Sequence, residues 1–290
     1  MKVSGFTFVR NAVQYDYPVV EAITSILPLC DEFVVAVGNS GDSTRELIQS
    51  IHSPKVKIID TVWDDSLRQG GQTFALETNK AFQSISPEAD WAFYIQADEV
   101  VHEKYHGAIR EAMAKHKDDK RVEGLLCDYI HFYGSYDYVG DAYRWYRREV
   151  RIIRNDKSIV SYKDAQGFRR KPNIKINAKL INACVYHYGW VRDPRKMQGK
   201  RRSFNHFYFD DAWIEKHVGP AESFDYSEID ALRRFEGTHP MVMQPRIKAM
   251  NWEFAHDMSR NTLKPKDRLK RFVEKMTGWR MGEFRNYKII

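Results

Sequence analysis

Two neighbouring carboxylates, Asp98 and Glu99, follow directly on an apolar run, Trp91-Ala-Phe-Tyr-Ile95. A run of that kind, stopped by the polar tip Gln96-Ala97-Asp98-Glu99, reads as a strand covered on both faces. In open α/β sheets, ligands sit beyond the carboxyl ends of such strands. A carboxylate in that place can hold a divalent cation, and a cation can hold a diphosphate. A buried strand followed by a merely acidic turn has the same local pattern, so the surrounding elements must decide between the two.

Those elements alternate. Lys2 to Val9 reads as a strand ending at Arg10-Asn11, and Tyr17 to Leu29 as a helix with Pro18 in its first turn and Val19, Ala22, Ile23, Ile26 and Leu27 on one stripe. Glu32 to Val37 is a second strand, opening into a loop, Gly38 to Thr44, that is rich in turn formers. Its Ser43 or Thr44 can cap a helix over 45–50. A strand over 56–62 and a helix over 72–84 lead to the Trp91 strand. Four strands alternating with helices is the rhythm of a parallel sheet. Neither G-x-G-x-x-G after the first strand nor a P-loop is present. Further on come a helix over 105–115, a strand over 124–133, and five arginines in 142–154. In Glu149-Val-Arg-Ile-Ile-Arg154 arginine alternates with apolar residues, which predicts a half-exposed strand. Residues 158–168 read as a loop carrying Asp164, 174–186 as a strand leading to His187-Tyr-Gly-Trp190, and the basic, aromatic run 193–209 as a helix. The expected class is therefore α/β. A main domain spans 1–215, and Pro- and Gly-broken short helical pieces form an appendage over 216–290.

Composition narrows the function. The 290 residues suffice for a sizeable core. The 16 Tyr, 16 Phe and 7 Trp are foremost core fillers, although aromatic-lined pockets also suit sugars and bases. The formal charge of +7 is concentrated: between Lys264 and Lys288 nine Lys/Arg face three acids. A nucleic-acid binder would carry its basic face on the folded domain. A basic amphipathic end, Lys266 to Met276, suits a solvated helix or a peripheral membrane contact. Cys30, Cys127 and Cys184 are too scattered for a metal site or a disulfide framework. The first residues lack the apolar core of a signal peptide, and no stretch reaches the ~18–20 apolar residues of a membrane helix. The expectation is a cytoplasmic protein.

Several pieces occur in a fixed order: Arg10-Asn11 after a strand, Ser40-x-Asp42-x-Thr44 after the next, Thr78-Asn79-Lys80 on a helix, Gln96-Ala-Asp-Glu99, and His187-Tyr-Gly-Trp190. Together they resemble the family 2 glycosyltransferases of the GT-A fold, over roughly residues 1 to 205. The resemblance implies a mostly parallel central sheet flanked by helices, a nucleotide-sugar donor, a divalent cation (Mn²⁺ or Mg²⁺), and inverting transfer to a glycan or lipid-linked acceptor. It assigns Asp98 and His187 to the metal and Asp98 also to the donor diphosphate. Arg10, Asn11 and Asn39 fall around the nucleotide base, Gln96 and Asn79 at further donor positions, and Glu99 at a catalytic place near the donor sugar. Asp164 falls where the acceptor's general base is expected. The chain departs from the pattern at Gln96, which replaces the first acid, at Val37, where a base-binding Asp is common, and at Thr78, where an Arg is lost. These departures keep open a non-catalytic nucleotide-sugar or glycan binder on a degenerate version of the fold. A nucleotidyltransferase would carry a glycine- and basic-rich loop after the first strand, which Phe6-Thr-Phe-Val-Arg-Asn-Ala-Val-Gln14 is not.

Overall fold

The computed structural model describes residues 1–258 and 262–290. The first half alternates as the apolar runs require: β1 (Val3–Val9), α1 (Val19–Ile26), β2 (Glu32–Gly38), α2 (Thr44–Gln49), β3 (Val56–Thr61), α3 (Gln72–Gln83) and β4 (Trp91–Tyr94). These four strands are mutually parallel in the order β3-β2-β1-β4. Alternate residues of β2 serve different cores. Phe33, Val35 and Val37 pack with α1, whereas Val34 and Ala36 pack with Phe6, Phe82 and Tyr94 on the other face. A strand buried on both sides has no polar face to alternate with, which is why its sequence is continuously apolar. α1 stops at Ile26 and gives way to a short 3₁₀ turn, Leu27–Leu29. Pro28 has no N–H to give to the carbonyl four residues back, so the α-helical ladder cannot continue through it.

The second half makes the sheet mixed. After β5 (Glu99–Val101) and α4 (His106–His116) come β6 (Gly124–Tyr133), β7 (Ser135–Gly140), β8 (Arg148–Arg154), β9 (Ile159–Tyr162), β10 (Gly167–Arg170) and the long β11 (Ile174–Trp190). β8 joins β4 and β6 antiparallel, and β6 runs parallel to β11. Then follow α5 (Pro194–His206), α6 (Asp211–His217), β12 (Leu232–Arg234), α7 (Gln244–Lys248), α8 (Pro265–Thr277) and β13 (Tyr287–Ile289). The mixed α/β class with short C-terminal helices is as expected. The boundary expected at 215/216 falls inside α6, and β12 and β13 stitch the C-terminal segment into the sheet against β7 and β11.

Two segments differ from their sequence reading. β8 is buried rather than half-exposed: Val150, Arg151, Ile152 and Ile153 are all in the interior. Its arginine enters the core because Glu99 is there to meet it. Residues 158–168 are not a loop but the two arms of the β9–β10 hairpin. The residues flanking its tip, Lys163 (φ 53°) and Ala165 (φ 64°), are left-handed. Among the described residues, no helix is long and apolar enough to cross a membrane.

Because β13 is a working strand with Tyr287 4% exposed in the core, its removal should be felt globally. Tyr287→Ala is expected to cost about 3 kcal/mol in urea unfolding, the scale of large-to-small aromatic changes. A loss below about 0.5 kcal/mol, ordinary for a surface site, would show that the strand is a loose edge.

Candidate active site

The tip of β4 and the last residues of β11 meet at the floor of a cleft. The cleft has two lobes of about 740 and 510 Å³ that share Arg10, Tyr17, Trp63, Phe74 and Phe204 in their walls. Both lobes fall in the range of small-molecule sites. Asp98, His187, Gly189, Lys200, Gln96 and Asp164 all line the second lobe.

Asp98 is nearly out of water, 8% exposed. Burial alone would raise its pKa. Lys200 and Arg192 more than offset that and hold it well below the usual carboxylate range. The Lys200 ammonium lies 2.9 Å from Asp98 Oδ2 and donates also to the Gly189 carbonyl at 2.8 Å. Lys200 is delivered by α5, which is started by Pro194 at its first position and by the Asp193 side chain accepting from Arg195 N. Burial, reinforced by Arg192, pulls the Lys200 amine down to about 8 against the pull of Asp98.

His187 Nε2 faces Asp98 Oδ1 at 3.8 Å. A chain of contacts fixes its tautomer. The Tyr146 carbonyl can only accept, so His131 Nε2, 2.7 Å away, carries the hydrogen. Burial keeps His131 neutral, its pKa well below the usual value, so His131 Nδ1 is bare. His187 Nδ1, 3.1 Å from it, must then donate. Burial also lowers the pKa of His187, against the pull of Asp98, which leaves Nε2 as an unprotonated lone pair aimed at a carboxylate. Two electron donors thus face each other, and the positive charge that meets them here is the Lys200 ammonium on Asp98 Oδ2. Gly189 packs tightly against the pair: a Cβ there would clash with His187 Nε2 and stand 2.9 Å from Asp98 Oδ2. Among the described residues there is no cluster of three or more His, Cys, Asp or Glu donors. Asp98 and His187 offer two ligands, so a divalent cation held by them would need diphosphate oxygens and water to complete its shell.

The other expected residues separate into those in the cleft and those behind it. Arg10 lines both lobes, pairs with Asp65 at 2.5 Å, donates to the Asn39 carbonyl, and lies over Trp63. Asn11, in a left-handed conformation (φ 54°), accepts from Gly41 N and so ties the first strand's end to the Gly38–Thr44 loop. Asn39 accepts from Trp63 N at 3.0 Å and holds that indole on the wall. Gln96 points into the cleft and donates to the Ala165 carbonyl at 3.1 Å, fastening the hairpin that bears Asp164. Asp164 Oδ2 accepts from the Tyr208 hydroxyl at 3.0 Å. Left-handed residues on either side of a cleft-facing acid are the kind of local strain that accompanies functional sites.

Two expectations are corrected. Glu99 does not face a sugar. It is fully buried, and both its oxygens are taken by Arg151 at 2.7 and 2.9 Å, with Tyr129 and Gln96 N adding further bonds. Asn79 lies outside the cleft walls and accepts from Ser161 N, joining α3 to β9. None of the five arginines in 142–154 lines the cleft lobes: Arg147 meets Glu283, Arg148 meets Asp128, and Arg154 caps the carbonyls after α4. Conversely, Lys200, Arg192 and His131 were not singled out. The signal for Lys200 was available: a basic helix that begins four residues beyond His187-Tyr-Gly-Trp190 must fold back over that strand's end.

No family model matches the sequence, and no curated protein does. Among solved structures, S. aureus TarS (residues 1–349) superposes with a TM-score of 0.38 at 13% identity, covering 76% of this chain and 69% of that one. Glucosyl-3-phosphoglycerate synthase from Mycobacterium tuberculosis, in complex with Mn²⁺, UDP and phosphoglyceric acid, superposes with 0.31 at 14% identity, covering 45% and 43%. Mannosyl-3-phosphoglycerate synthase from Rubrobacter xylanophilus gives 0.31 at 18%, covering 44% and 40%.

Behind the Asp164 hairpin, Glu149 is buried and accepts from Gln166 Nε2 at 2.9 Å. Burial pushes its carboxyl up to about 8, against the opposing pull of Arg151. A raised folded pKa means a proton held by the folded state and lost by the unfolded one. That stability is complete below the ordinary value of 4.5 and is lost as pH rises through about 8. Urea unfolding should therefore show a slope of up to about 1.4 kcal/mol per pH unit in this window that Glu149→Gln removes. An identical slope in the variant would mean that Glu149 is ionised in the folded protein.

Proposed function

We propose that the protein is an inverting, metal-dependent glycosyltransferase that moves a sugar from a nucleotide-diphosphate donor to a glycan or lipid-linked acceptor, as in surface polysaccharide assembly. The observation that carries this reading is His187 Nε2 facing Asp98 Oδ1 at 3.8 Å, with Lys200 on the other carboxylate oxygen, at the floor of a cleft of donor size. A divalent cation held by Asp98 and His187 would act as a Lewis acid on the leaving diphosphate.

The chain's own groups supply the rest. Lys200, held at the Asp98 carboxylate, adds a second positive charge where the nucleoside diphosphate gains negative charge, in surroundings where a charge counts for more than in water. Trp63 lines both lobes, and its ring suits the face of a base or sugar. Arg10 stands beside it for the base or ribose. The acceptor hydroxyl attacks the anomeric carbon from the face opposite the diphosphate and gives up its proton to Asp164. Tyr208 engages Oδ2, so Oδ1 is the oxygen that can take that proton. The Lys200–Asp98 contact also favours a second reading: a binder that recognises the diphosphate with lysine alone and transfers nothing.

Asp98→Asn should abolish both Mn²⁺-dependent UDP binding in calorimetry and transfer. Gly189→Ala should do the same by pushing His187 and Asp98 out of place. Asp164→Asn should keep donor affinity while slowing turnover about 10²–10⁴-fold. Undiminished transfer by Asp98→Asn would remove the cation assignment. Absence of any donor hydrolysis or transfer by the parent protein with Mn²⁺, despite nucleotide binding, would favour the binder.

A further inference from the structure

α8 is folded against the protein with the wrong side outward. Of its inner positions, Val273 is apolar but Asp267, Lys270, Arg271 and Glu274 are polar: Arg271 pairs with Asp141, Lys270 lies over the Tyr143 ring, and Glu274 faces Arg147. Its outer side carries an apolar stripe. Leu269, Phe272 and Met276 are 62%, 62% and 71% exposed, at the i, i+3, i+7 spacing of one helical face. Trp279 and Phe284, just beyond the helix, are exposed as well. No residue of α8 is buried. An amphipathic helix of a soluble domain normally does the opposite, and a contiguous apolar stripe left in water marks a surface that something covers.

We propose that this face docks on an anionic lipid surface. Exposed Lys266 and Lys275 stand on either flank of the stripe, and the segment 264–288 carries nine Lys/Arg against three acids. Apolar centre, basic margins and a terminal tryptophan are the composition of a helix that lies in the bilayer interface. A second copy of the chain is a poor occupant, because pairing two such faces would bring two strongly positive segments together. The stripe continues towards the cleft: the Phe284 ring receives Lys163, the neighbour of Asp164. A lipid surface at α8 would therefore lie beside the hairpin that carries the candidate base. This docking stands whether or not the transfer reaction is as proposed.

The test is vesicle co-sedimentation of the full chain without donor or metal. Binding to phosphatidylcholine vesicles containing phosphatidylglycerol should exceed binding to pure phosphatidylcholine at least about tenfold and weaken in high salt. The triple variant Leu269→Ser, Phe272→Ser, Met276→Ser should lose that binding with an unchanged melting temperature, since it replaces only exposed side chains. Lys266→Glu with Lys275→Glu should lose it on anionic vesicles through charge alone. The proposal is overturned by failure to sediment with anionic vesicles, by a triple variant that sediments like the parent, or by a parent dimer in light scattering that the triple variant abolishes.

Discussion

A carboxylate kept ionised where water barely reaches must be surrounded by positive charge, and the architecture of the cleft follows from meeting that requirement at Asp98. Two cationic groups meet that requirement, Arg192 just beyond the end of β11 and Lys200 from α5, while His187 faces it from the strand's last residues. Desolvating an acid without such partners would simply neutralise it. The fold must therefore bring the tip of a parallel strand, the end of a long mixed-sheet strand and the helix after it to one point. The hairpin, the aromatic wall and the base-side lobe are arranged around that point.

The two adjacent acids of the tip show how position decides role. Glu99 lies at the start of β5, paired with β11, and turns inward to the fully buried Arg151. Both its oxygens are saturated, so it is a fastening between β8 and the tip, and removing one partner would strand a buried charge. Asp98, one residue earlier, turns the other way and keeps Oδ1 towards His187 without a hydrogen between them. One pair is closed and structural; the other is open and available to a ligand. Gln96 completes the arrangement by spending its amide on the Ala165 carbonyl, so the position that would hold another acid instead holds the Asp164 hairpin in register.

This division explains what could be read from the residues. Buried parallel strands are legible because their apolar runs are continuous, and the strand-end position of Asp98 and His187 follows from those runs. What was not legible involves charges whose partners are far away along the chain. Arg151 sits in an alternating pattern that reads as a surface strand, and its partner is 52 positions distant. Lys200 is 102 positions from Asp98. The short strand β13 has only Tyr287 to announce it. Glu99 and Asn79 were over-read for a related reason. Their types suit a donor site, but a one-residue change of direction, or one turn of helix, puts them behind the wall instead of in it.

The inverted helix bears on the site through ordinary contacts. α8 is held mostly by partly exposed ion pairs, each worth little. Its end is gripped by Arg147, which meets Glu283, Glu274 and the Gly278 carbonyl. Arg280, just beyond, binds the carbonyls of Tyr143 and Trp145. The next carbonyl along that same segment, Tyr146, sets the hydrogen on His131 and hence the lone pair on His187. A surface that orders α8 therefore also steadies the segment 143–147, the strip of backbone on which the direction of the His187 lone pair depends.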